Sequence, residues 1–296
     1  MKRAIGIVIE LSKIRIAVMA TATALMGYVL AALGLSPDAM LPLAGVFLLA
    51  CGAGALNQVQ EPGIDARMDR TRNRPIPSGR IDVLRAALIA LLLLGAGLAC
   101  LSGSREAVAL GVLTVAWYNG VYTYLKRTSP FAAIPGGVVG SLPPVIGWAA
   151  VTGSVSVEPL ILFLIIFMWT PPHFWALALY RNGDYEKAGV PMMPVVAGKQ
   201  STRAQMLLYT LLLAPVTLMP ALLGYAGLAY GAVAAIASAL FVGFAAEVWL
   251  LGKVAKGAPQ GELRADRAAR RLFAYSIFYL FILFLALLAE QLLGWA

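Results

Sequence analysis

Asn57, Glu61 and Asp65 close an apolar stretch at four-residue spacing, and all three carry oxygens that hard cations bind. Carboxylates are costly beside so many apolar residues and are kept there for a use. The following residues bring Arg67, Arg70, Arg72 and Arg74, ending at Pro75. Groups that hold a divalent cation therefore adjoin groups that hold a phosphorylated substrate. The spacing would put the three oxygen donors on one face of a continuing helix. Pro62-Gly63 opposes that, because proline lacks an amide donor and glycine loosens the backbone. A helix end or irregular turn facing a cavity is expected.

A second polar stretch, residues 180–203, repeats the mixture with Arg181, Asp184 and Glu186. Between the two, Tyr118-Asn119-Gly120-Val121-Tyr122-Thr123-Tyr124-Leu125-Lys126-Arg127 ends another apolar run. Its tyrosines also suit an interfacial belt with snorkelling bases. Mg²⁺ is usually held by one or two carboxylates plus substrate phosphates. Asn57, Glu61, Asp65 and Asp184 supply such oxygens, and Arg74, Lys126, Arg127 and Arg181 suit the remaining phosphate oxygens. With apolar surroundings for the rest, a polyprenyl diphosphate fits both halves. Metal and bases would stabilise the departing diphosphate, and an electron-rich acceptor would capture the allylic cation in a dry cavity. A structural ion-pair network among the same acids and arginines is the alternative. Asp69, Asp82, Glu186 and the 253–271 segment read as solvated or lipid-facing.

These groups must be positioned by membrane helices. The 296 residues are 60% hydrophobic and 12% charged, against roughly 25% charged in a soluble domain. Nine stretches approach the ~20 residues needed to cross a bilayer: about 15–34, 39–56, 84–102, 107–125, 131–151, 158–179, 206–224, 228–250 and 273–293. No loop could hold a soluble domain, so residues 1–296 read as one intramembrane domain, all-α and polytopic. The first stretch reads as a retained span and not a cleaved signal. With the N-terminus in the cytoplasm, every one of the 23 lysines and arginines except Arg105 falls on the cytoplasmic side. That bias predicts a cytoplasmic N-terminus and a C-terminus on the opposite side. It accounts for the net charge of +9 without nucleic acid. Cys51 and Cys100 read as buried structural thiols.

Trp169-Thr170-Pro171-Pro172-His173-Phe174-Trp175 lies inside the sixth stretch, and its double proline predicts a kink or break. His173, the single histidine, reads equally as a structural group or as a ligand or proton-transfer group. A cation-coupled transporter would also bury acids and break helices. Its key acids would belong near the midplane, whereas these lie at span ends.

Asn57-x₃-Glu61-x₃-Asp65 followed by Met68-Asp69-Arg70-Thr71-Arg72-Asn73-Arg74-Pro75 resembles the first metal-binding motif of UbiA-type intramembrane prenyltransferases. The segments Arg70–Pro75, Pro143–Gly153 and Trp169–Ala178 resemble, more narrowly, the haem-farnesylating branch, the last being the most specific. Similarity covers most of the chain, is strongest over 57–203, and is weak in the last two spans. The resemblance implies nine membrane helices, an active site facing the cytoplasm of a bacterial inner membrane, and farnesyl transfer from farnesyl diphosphate to a vinyl group of haem B. Water addition would complete haem O. It implies Mg²⁺ and diphosphate at Asn57, Glu61, Asp65 and Asp184, the anion at Arg74, Lys126, Arg127 and Arg181, and haem near His173. A haem-modifying enzyme or a terminal-oxidase assembly are the implied partners, beside the lipid bilayer. A quinone-precursor aromatic acid is the alternative acceptor. Glu61 stands where the family often has Asp, and Gly63 where it often has an acid, which leaves the number of Mg²⁺ ions open.

Overall fold

The computed structural model describes residues 2–187, 189–255 and 258–294, and the side chains of all of these but 2–4, 184 and 185. The described residues form helices and connecting turns without a strand. Eight helices are long and apolar enough to cross a bilayer, and the protein is an integral membrane protein. The chain forms two compact units, one of Met1–Arg127, Leu142–Ser156 and Lys187–Gly189, the other of Thr128–Ser141, Val157–Glu186 and Val190–Ala296.

In the first unit, α1 (Lys2–Leu11) and α2 (Ile14–Ala32) meet at an elbow where Lys13 adopts φ 47°, ψ 47°. A turn opened by Ser36, whose hydroxyl accepts from the Asp38 amide, leads into α3 (Met40–Gln60). The short α4 (Pro62–Arg67) follows, with proline at a first-turn position where its missing amide costs nothing. Asp82 caps α5 (Val83–Cys100), and Ser104 caps α6 (Arg105–Val115). The run continues as a π-helical turn, Ala116–Tyr122, and α7 (Thr123–Leu125). The sequence reads 107–125 as one span. The π turn divides its α-helical length, so this run is not among the eight. The last helix to enter this unit is the second half of α8 (Ala133–Thr152).

Small residues let these helices meet backbone to backbone, the packing that membranes favour where no hydrophobic drive exists. A Cβ on Gly27 would lie 1.8 Å from the Pro144 carbonyl oxygen, and one on Gly147 would lie 2.0 Å from that of Ala24. Gly45 and Gly97 bring α3 and α5 together in the same way. Val46, Leu49, Leu101, Ile146 and Ala149 fill the space beside these contacts.

The second unit holds α9 (Val157–Tyr180), α10 (Asn182–Lys187), α11 (Met193–Val196), α12 (Lys199–Leu222), α13 (Leu228–Ala255) and α14 (Pro259–Leu293). The break expected at Pro171-Pro172 is absent, since α9 runs through both prolines. Those rings remove two amide donors, which denies in-helix partners to the Phe167 and Met168 carbonyls without ending the helix. Thr170 adds a hydroxyl bond of 2.7 Å to the Ile166 carbonyl one turn earlier. The reading of 253–271 as solvated holds for Arg264, Arg267, Arg270 and Arg271, which are exposed, but not for its acids. Glu262 pairs with Arg203 at 2.7 Å and Asp266 with Lys199 at 3.0 Å. Arg203 is 1% exposed, and a charge so placed needs such partners. At the other end of the unit, buried Glu290 accepts from the Gly227 and Tyr230 amides, each at 2.7 Å, holding the start of α13.

Candidate active site

The interruption at Pro62-Gly63 falls as expected. α3 stops at Gln60, Glu61 leaves helical geometry at φ −129°, ψ 30°, and α4 begins at Pro62. Asn57 thus sits in the last turn of α3, Glu61 at the break, and Asp65 in α4. All three are buried, at 2%, 4% and 4% exposure. The change of direction is held by the Asp65 amide donating to the Glu61 carbonyl and by the Thr71 hydroxyl donating to the Asp65 carbonyl.

Each carboxylate has its own cations. Nη1 of Arg74 lies 2.8 Å from both oxygens of Asp65. Oε2 of Glu61 pairs with Lys126 Nζ and accepts from Asn57 Nδ2 at 2.8 Å. Its Oε1 is buried with no hydrogen bond, 3.5 Å from Arg127 Nε in a looser ion pair. Asn57 Nδ2 also reaches the Thr123 hydroxyl at 3.0 Å, while its Oδ1 accepts from Lys13 Nζ at 2.7 Å. Lys13 is half-buried, and loss of water, then the nearby charges of Arg74 and Lys126, push its ammonium down to about 7; Asp65 and Glu61 oppose that shift. Two buried carboxylates are therefore surrounded by Lys13, Arg74, Lys126 and Arg127. The surplus of positive charge calls for an anion.

The π turn supplies the other wall. Asn119 and Gln60 exchange hydrogen bonds, Gln60 Nε2 to the Asn119 carbonyl and Asn119 Nδ2 to Gln60 Oε1, both 3.0 Å. Arg127 Nη2 donates to the Gln60 carbonyl at 3.1 Å. These contacts fix Thr123, Lys126 and Arg127 against the end of α3, where the acids are. π turns recur at functional sites.

The chemistry of the donor set fits Mg²⁺. The oxygens are hard, Glu61 keeps one buried oxygen without a donor, and two carboxylates are the number Mg²⁺ takes when substrate phosphates complete its shell. No group of three or more His, Cys, Asp or Glu occurs among the described residues, so this is no cage made by protein alone.

The structure brings Asn57, Glu61, Asp65, Arg74, Lys126 and Arg127 together, as their sequence predicts. Asp184 lies in α10, but its side chain is outside the described residues; Arg181, just before α10, is exposed. Both belong to the second unit. His173 also lies there, in a tight aromatic stack, 4.2 Å from the Trp169 ring and 4.6 Å from the Phe273 ring between centroids. Its Nδ1 is 2.7 Å from the Ser276 hydroxyl. Sequence reasoning missed Lys13, Thr123 and the Asn119–Gln60 exchange. Lys13 counted only toward topology, though it is a base next to an apolar span.

This fold and site define an intramembrane prenyltransferase: residues 20–260 match the UbiA prenyltransferase family, and the chain belongs to it. Its relatives have a narrower name. A protein of Parvibaculum lavamentivorans named protoheme IX farnesyltransferase is 48% identical over 291 residues, covering 96% of this chain and 88% of its own. Protoheme IX farnesyltransferase 2 of Mesorhizobium japonicum is 47% identical, over 95% and 88%. Among solved structures, digeranylgeranylglyceryl phosphate synthase matches with a TM-score of 0.79 at 20% identity, over 98% of this chain and all of that one. A UbiA homologue from Archaeoglobus fulgidus bound to DMAPP and Mg²⁺ matches at 0.61 and 13% identity, over 92% and 98%. These last two likenesses concern the fold.

Proposed function

We propose that this protein transfers the farnesyl group of farnesyl diphosphate to a vinyl group of haem B, giving haem O and diphosphate. The observation that carries the site assignment is the set of four bases around two buried, differently partnered carboxylates. The haem acceptor rests on the relatives' names and on the Trp169–Ala178 segment.

Asn57, Glu61 and Asp65 would hold Mg²⁺ with the diphosphate, and Asp184 joins this set on the family resemblance. Bound there, Mg²⁺ acts as a Lewis acid on diphosphate oxygens. Arg74, Lys126 and Arg127 neutralise the charge that grows on diphosphate as the bond between its oxygen and farnesyl C1 breaks. Arg181 has the same role by resemblance. The vinyl π electrons form the new bond to C1, and the cation left beside the porphyrin ring takes a water oxygen and loses a proton. Exclusion of water before that point keeps the farnesyl cation from hydrolysis. His173 is assigned to haem contact, with its Nδ1 committed to Ser276.

The nine-span arrangement belongs to this reading, with a cytoplasmic N-terminus, the C-terminus opposite and the active site facing the cytoplasm of an inner membrane. A terminal-oxidase assembly or a haem-modifying enzyme would take up the product. The test is purified protein with haem B, farnesyl diphosphate and Mg²⁺, alongside a quinone-precursor aromatic acid as competing acceptor. Mass analysis should find hydroxyethylfarnesyl haem, in amounts that vanish with chelator. Farnesylated aromatic acid in its place would overturn the reading.

A further inference from the structure

Lys13 is held in a backbone conformation that L side chains avoid. Among the described residues, only Lys13 and Leu33 combine a side chain with positive φ. Leu33 merely ends α2, a common use of that geometry. Lys13 precedes a helix instead, and strain of this kind persists where neighbours over-determine it. The neighbours are at hand. Gln58, the residue after Asn57, donates through Nε2 to the carbonyls of Glu10 and Leu11 at 2.9 and 3.0 Å. Arg80 grips the Glu10 carboxylate, with Nη1 at 2.9 Å from Oε1. The elbow is thus clamped by α3 and by the segment that follows Asp65.

The clamp delivers an ammonium to the buried acids. Nζ of Lys13 stands 2.7 Å from Asn57 Oδ1 and 3.4 Å from the Tyr118 hydroxyl. That contact sets the amide: its oxygen faces Lys13, and its NH₂ faces Glu61 and Thr123. Glycine would adopt the elbow without strain. A lysine there points to use of its charge.

We infer that Lys13 is a further substrate-positioning residue, which orients the Asn57 amide and binds a diphosphate oxygen of the prenyl donor. This inference rests on the reading of the site as a metal–diphosphate site.

The test is equilibrium binding of farnesyl thiolodiphosphate, an unreactive donor analogue, to full-length protein in detergent with Mg²⁺. Loss of one charged hydrogen bond predicts about tenfold or greater weakening in K13M, and likewise in K13N, which tolerates the elbow geometry. Both should also show a shallower dependence of binding on salt. K13R should recover most of the affinity. In K13C, alkylation by bromoethylamine, which rebuilds an ammonium at nearly the same reach, should restore binding. Wild-type affinity in both K13M and K13N would overturn the inference, as would equal loss in alkylated and unalkylated K13C. D65N, run in parallel, separates the two levels. If D65N binds weakly and K13M normally, only the Lys13 role falls; if D65N also binds normally, the site reading itself falls.

Discussion

One nitrogen of Arg74 bridges both carboxylate oxygens of Asp65 at 2.8 Å, and Asp65 has a side-chain exposure of only 6%. The pair is structural and functional at once. R74A strands a buried charge, and breaking such a pair costs roughly 3 kcal/mol. Its melting temperature should fall by several degrees, and R74A/D65N should regain part of the loss. Equal melting of R74A and wild type would show that Asp65 draws its compensation elsewhere.

Asp65→Asn and Glu61→Gln keep size and lose charge. Both variants should insert and fold, with turnover reduced by ~100-fold or more, as expected when electrostatic support of a leaving group is removed. Single-turnover assays of farnesyl haem formation measure this. Near-normal turnover in both would refute the carboxylates as metal ligands.

Gly63 has open space where a Cβ would go. It lies in the first turn of α4, where an added carboxylate is favoured by the helix end. G63D should therefore fold normally and lower the Mg²⁺ concentration for half-maximal turnover by about two- to tenfold. A magnesium titration unchanged from wild type would exclude any influence of this position on the metal.

Gly147 is the opposite case. A methyl group there meets the Ala24 carbonyl at 2.0 Å, a backbone atom that no rotamer change can move. G147A should be recovered in far lower yield, or melt well below wild type, whereas G120A, with nothing within 4 Å, should match wild type. Size-exclusion profiles in detergent distinguish the two.

His173 lies between two aromatic rings and bonds Ser276. If it contacts haem, H173A should shift the absorption bands of bound haem, and S276A should do so less. An unchanged spectrum in H173A removes His173 from the haem site.

Much of this was legible from residue type and spacing. Pro62-Gly63 announced the break that turns Asp65 toward Glu61's surroundings, and apolar length announced the membrane helices. The continuity of α9 was not legible, because a double proline weakens a helix locally while packing decides whether it ends. Nor was the buried state of Arg203, since Glu262 and Asp266 lie about sixty residues away in sequence. Lys13 was hidden for a similar reason: only the folded elbow shows where its side chain goes.

The π turn at Ala116–Tyr122 has a consequence for how this family could diverge. It accommodates one residue more per turn than an α-helix does, so removing a single residue from it would rewind the run as ordinary helix and rotate all that follows by about 100°. Thr123, Lys126 and Arg127 would then leave Asn57 and Glu61 together, with no side chain exchanged. Chain length at this point is as much a determinant of activity as any acid or base, and an insertion or deletion here would separate working homologues from inert ones more sharply than a point mutation.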